Sequence, residues 1–153
     1  MAKITPEVVS LLGTIFSIIA GAAMSFQGVI NTRLSEKIGL YESNAFVQGS
    51  AFVLSLIALW ILGTGHFKDI IAVNKIYWLG GVLAIVITVT VMLGIKSLSP
   101  TIAISIILIA QVLVAAIIDA FGWLGAERVV FHWTKFLGLT LMIGGVIVFK
   151  LRS

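Results

Sequence analysis

Five apolar runs, each about as long as the hydrocarbon core of a bilayer is thick, constrain this chain more than any other feature. A core of about 30 Å needs roughly 17 to 25 apolar residues at about 1.5 Å of helical rise each. The runs fall at about residues 8–32, 44–63, 76–96, 100–121 and 134–150. Their Val, Ile and Leu content would suit strands. Their length fits helices, which satisfy all backbone polar groups within one segment. Composition agrees: 60% of the 153 residues are hydrophobic and 10% are charged, against about 25% charged in a soluble domain. Too few polar side chains are present to cover a core in water. The expected fold is all-α, a polytopic membrane protein whose single five-helix transmembrane domain spans residues 1–153, with the lipid bilayer as solvent.

Several boundaries have local causes. In "KSLSPTIA", Lys96 closes the third run, Ser99 is a helix cap, and Pro100 stands in a first turn, where its missing N–H costs nothing. Glu42 reads as a solvated residue beside the first loop or as part of a helix cap with Ser43 and Asn44 before the second run. "LGTGHFKDIIAVNK" leaves room for a short interfacial segment around Ile70, Ile71 and Val73, too short to span.

The motifs that are missing narrow the function. There is no phosphate-binding G-x-x-x-x-G-K-[ST] or G-x-G-x-x-G, no G-x-S-x-G and no cysteine. His66 and His132 lie far apart without ligand spacing, so neither metal nor cofactor is expected and the chain does not read as an enzyme. The net charge of +4 comes from basic residues spread singly between apolar runs, not from a patch, so no nucleic-acid partner is expected.

Lys and Arg on cytoplasmic loops normally help set membrane orientation. With five crossings, Lys3, Lys68, Lys75, Arg128 and Lys135 fall on the N-terminal side, and Arg33, Lys37, Lys96, Lys150 and Arg152 on the other. This balance suggests insertion in both orientations and pairing as an antiparallel homodimer. A fixed orientation, set by the charges nearest the membrane or by a related small membrane protein, is the alternative. Trp60, Trp78, Trp123 and Trp133 all fall near the N-terminal side, so an inverted pair would supply interfacial aromatics to both leaflets.

Polar residues inside the runs are the candidates for function. Gln27 and Asn31 are four apart on one face of the first helix, Gln48 lies in the second, and Gln111 and Asp119 in the fourth. Gln111 and Asp119 are eight residues apart, about 12 Å along one side of a helix. Asp119 is the sole acid within the five runs as placed. Burying it costs about 2.5 to 3.5 kcal/mol at the bilayer centre and less near an end. One reading makes it an interfacial carboxylate paired with Lys135 or Arg128. The other makes it a cavity group that exchanges protons or meets a cationic substrate, with Gln111, Gln27, Asn31 and Gln48 along the pathway. Inverting a second subunit brings its Gln27 and Asn31 to the depth of Asp119, an arrangement suited to alternating access. Gly21, Gly49, Gly80, Gly81, Gly138, Gly144 and Gly145 are candidates for close helix packing.

"IAGAAMSFQGVINTRLSEKIG" (19–39), "NAFVQGSAFVLSL" (44–56), "WLGGVLAIV" (78–86), "AQVLVAAIIDAFGWLG" (110–125) and "KFLGLTLMIGGVIVF" (135–149) together resemble short bacterial inner-membrane proteins of the YdcZ-like family, within the drug/metabolite transporter superfamily. The most specific parts are Gln27-x-x-x-Asn31-x-x-Leu34 and Gln111 followed by Asp119-Ala120-Phe121-Gly122. Ala110 stands where the family commonly has Gly. The resemblance implies a five-helix unit equivalent to half of a ten-helix carrier, transporting or exporting a small molecule. The competing expectation is a non-transporting membrane assembly or interaction subunit, whose intramembrane polar residues only specify helix packing.

Overall fold

The structure is a computed structural model that describes residues 5–130 and 132–151. Lys3 and Arg152, counted above among the loop charges, lie outside the described residues. Five α-helices form: α1 Pro6–Ile38, α2 Leu40–Leu62, α3 Leu79–Ser97, α4 Pro100–Phe121 and α5 Trp133–Lys150. All are long and apolar enough to cross a membrane, α3 together with the helical turn that precedes it. The chain divides into two compact units, Met1–Gly94 and Ile95–Ser153.

In the first unit, α1 is longer than its apolar run, because it continues through Arg33 and Lys37 to Ile38. Its 33 residues measure about 50 Å, more than a bilayer core, so its charged end extends toward the headgroups. Arg33 Nη1 and Glu36 Oε2 are 3.0 Å apart one turn along this end, and both are exposed. Polar residues that read as a loop are therefore helical, and the connection to α2 is Gly39 alone. Gly39 has φ 103° and ψ 156°, a conformation essentially confined to glycine. Its N–H donates to Ser35 O at 3.1 Å, and its carbonyl accepts from Ser43 N at 3.1 Å. One residue thus ends α1 and begins α2. Glu42, Ser43 and Asn44 belong to the opening turns of α2, where Glu42 complements the positive end of the helix dipole.

Two side-chain contacts tie α2 to α3. Gln48 Nε2 donates to Thr88 Oγ1 at 3.4 Å, and Ser43 Oγ lies 3.7 Å from Met92 Sδ. Five residues back on α2 correspond to four forward on α3, as antiparallel neighbours require. Between α2 and α3, Phe67–Ile71 and Lys75–Trp78 are exposed 3-10 turns. The first covers part of the expected interfacial segment. The second starts at Asn74, whose side chain accepts from Ile76 N at 3.1 Å, and it delays α3 to Leu79.

In the second unit, α4 begins as its sequence implies. Ser99 Oγ accepts from Ile102 N at 3.4 Å, and Pro100 occupies the first turn. The helix stops at Gly122, whose left-handed φ of 66° and N–H to Ile118 O at 2.8 Å complete a glycine C-cap. The chain then returns on itself. Val129 N donates to Asp119 O at 2.9 Å, Arg128 Nε donates to Ala120 O at 3.0 Å, and the rings of Phe121 and Trp123 stack 5.3 Å apart. The two hydrogen bonds satisfy carbonyls that the end of a helix leaves open.

The helix faces are sparsely covered within the chain. No residue in the most apolar eighteen-residue stretch of α1, α2 or α5 is buried. A Cβ added at Gly21, Gly49, Gly80, Gly81, Gly138, Gly144 or Gly145 would meet no atom within 4 Å. Among the described residues, no helix of the same unit therefore approaches closely at the glycines expected to mediate packing.

Candidate functional site

Asp119 lies in the last turn of α4 and Lys135 in the first turn of α5, with Asp119 Oδ2 and Lys135 Nζ 3.9 Å apart. Their side chains are 45% and 36% exposed. The two face a groove of about 330 Å³ between α4 and α5, with apolar walls that include Val112, Leu139 and Met142. Gly138 helps form the groove because it projects no side chain into it. Asp119 and Lys135 are the two ionisable residues lining it.

Both charges stand against the helix end they occupy. A helix C-terminus carries about half a negative charge and an N-terminus about half a positive one, so Asp119 and Lys135 each lose roughly 0.3 to 1 kcal/mol. The ion pair, long and half-exposed, recovers about 0 to 1 kcal/mol. The pair by itself therefore adds no appreciable stability. Of the two partners open to Asp119 from sequence, the structure selects Lys135, while Arg128 is engaged by the Ala120 carbonyl.

The other candidate residues are distributed differently. Gln111 lies two turns before Asp119, is exposed, and is outside the groove lining. Gln27 is exposed on α1. Gln48 joins α2 to α3 through Thr88, as a residue linking helices would. Asn31 is buried, and its backbone carbonyl accepts from Ser43 Oγ at 3.3 Å. Asn31 and Gln48 belong to the first unit, and Asp119 and Gln111 to the second. No group of three or more His, Cys, Asp or Glu side chains suited to a metal occurs among the described residues.

The buried polar cluster around Asn31 also contains Thr32, Ser43 and Asn44, beside buried Met92. Sequence reasoning took Asn31 as a pathway candidate and Ser43 and Asn44 only as a possible helix cap. The missed signal was Gly39, since a one-residue turn folds residues 31–32 back beside 43–44. Thr32 Oγ1 donates to Gly28 O at 2.7 Å. Asn44 is 8% exposed, and its Oδ1 is buried with no hydrogen-bond partner. An unsatisfied buried acceptor costs about 1 to 3 kcal/mol, which an apolar side chain of similar size avoids. Asn44→Leu is therefore expected to stabilise the purified protein by about 1 kcal/mol, seen as a higher thermal unfolding midpoint in detergent. A lower midpoint would mean that the carboxamide supports the fold.

A model of the family described as "Putative inner membrane exporter, YdcZ" matches residues 12–148 of the chain. No curated protein matches it, and no solved structure does.

Proposed function

The chain belongs to the YdcZ inner-membrane exporter family, and on that premise we propose that it is a secondary exporter of a small organic solute, acting as an antiparallel homodimer with Asp119 as its proton-coupling residue. Its five spanning-length helices agree with a multi-pass protein of the inner membrane.

One observation carries the Asp119 assignment: a carboxylate and an ammonium occupy adverse helix ends at a groove with otherwise apolar walls, where their pairing adds little to the fold. Intramembrane ionisable groups in such positions commonly mark substrate or proton paths. Protonation of Asp119 removes its hold on Lys135 or on a cationic group of the solute. Coupling to a gradient needs such an exchange. Gln111, Gln27 and Asn31 line the remainder of the path when a second, inverted subunit brings its α1 to the depth of the first subunit's Asp119.

The dimer reading is supported by the balanced Lys and Arg count and by the seven glycines that face open space within one chain. Small residues are where membrane helices approach most closely. Reporters fused to the C-terminus are expected to signal from both sides of the membrane in comparable amounts. Signal from one compartment alone would remove dual insertion and leave a fixed orientation.

A further inference from the structure

We infer that the α4–α5 hairpin carries a binding site for a membrane phospholipid, with one acyl chain in an apolar cavity and the phosphate on Arg128. The cavity, of about 400 Å³, adjoins the Asp119 groove and shares Ala116 and Leu139 with it. Leu113, Ile117, Phe121 and Phe136 form most of its remaining walls, and no ionisable residue lines it. On α4 the lining runs from Leu113 to Phe121, about 12 Å along the helix axis. It therefore extends inward from the end of a helix of spanning length, the direction in which an acyl chain hangs from its headgroup. Taking a methylene to be roughly the size of a water, about 30 Å³, the volume holds on the order of a dozen chain carbons.

Arg128 supplies the polar end. Its Nε donates to the carbonyl of Ala120 at 3.0 Å, and Ala120 lines the cavity, so the guanidinium is held at the cavity's outer end. That bond uses one of the five N–H donors of an arginine. The others, on the two terminal nitrogens, form a planar fork that matches a phosphate. Arg128 is exposed, and among the described residues no carboxylate pairs with it, the adjacent Glu127 included. Trp123 and Trp133 are exposed at the same end of the hairpin, as aromatic side chains at the headgroup level are. Capping α4 accounts for the Nε bond and for a positive charge at a helix C-terminus, but not for an open fork beside an apolar cavity. A phospholipid answers both features, since its phosphate meets the guanidinium while its chain fills the cavity. The apolar part of a second copy's helix would fill the cavity without supplying that anion.

Three probes separate the two halves of the site: dioleoyl phosphatidylethanolamine, dioleoylglycerol, which lacks the phosphate, and glycerophosphoethanolamine, which lacks the chains. Each is titrated into the full-length protein in detergent, and bound lipid is read by native mass spectrometry. The phospholipid is expected to bind wild type at least about tenfold more tightly than either part. Arg128→Gln should reduce its affinity to that of dioleoylglycerol. Because that variant also loses a helix cap, Ala120→Leu gives an independent test: it exchanges one strong helix former for another, keeps Arg128 and fills the cavity. It should weaken phospholipid and dioleoylglycerol alike, by about tenfold. Equal binding of phospholipid and dioleoylglycerol to wild type would overturn the role of Arg128. Wild-type affinity in both variants would overturn the site and leave lipid only on the general surface of the helices. Loss of the phospholipid as the chain dimerises would overturn it too, and give the cavity to a second copy.

Discussion

Gly39→Val is expected to destabilise the first unit by about 3 kcal/mol, from strain at a glycine-only conformation and the loss of two hydrogen bonds. At φ 103° and ψ 156° a β-branched residue is an outlier, and a Cβ on this backbone collides with the Glu42 carboxylate. Glu42 can rotate away, but the backbone strain stays. Relieving it means moving Gly39, whose N–H and carbonyl bond Ser35 and Ser43 at 3.1 Å each. Ser43 would then leave the Asn31 carbonyl and Met92, and the hairpin would open. The thermal midpoint in detergent reports the loss. Glu42→Ala in the same chain divides it: the part recovered is the side-chain collision, and the part that persists is the backbone term. If Glu42→Ala restored full stability, the conformation of Gly39 would not be what shapes the turn.

This turn also marks where the sequence was hardest to read. Arg33, Glu36 and Lys37 suggest a loop because they are charged, yet charges at the end of a membrane helix serve equally well in the headgroup region. Composition does not distinguish these cases. The neighbourhood of Asn31, Ser43 and Asn44 depends on the loop having one residue, so it was not legible until the conformation of Gly39 was known. α4 is the opposite case. Ser99, Pro100 and Gly122 carry their own backbone chemistry, and both helix ends fall where those residues imply. The acid of the groove was legible because a carboxylate in an apolar run is costly wherever it points. Its partner was only narrowed to two. The choice rests on Arg128 turning back to cap α4, a contact made by the loop after the helix and invisible to helical spacing. The glycines remained undecided for a different reason: within each unit their faces meet open space, and spacing in the sequence does not name a packing partner.

Asp119→Asn is expected to separate transport from folding. The substitution keeps the size of the side chain and its acceptor oxygen. It removes the charge from an adverse helix end and dissolves a pair worth about 0 to 1 kcal/mol, so stability should change by no more than about 1 kcal/mol in either direction. Transport should respond far more strongly. An amide neither takes up nor releases a proton near neutral pH, so coupling through this position is lost altogether. The groove loses its carboxylate, which penalises any solute carrying an ammonium. A residue that merely specified helix packing would show the reverse pattern, with altered dimerisation and no transport to lose.

The most direct measurement follows proton and solute movement in proteoliposomes loaded with small organic solutes, with wild type and Asp119→Asn compared at equal protein content. Under an imposed pH gradient, wild type should exchange protons for at least one solute, and Asp119→Asn should fall to the level of protein-free vesicles. Flux through Asp119→Asn with the rate and pH dependence of wild type would contradict the account.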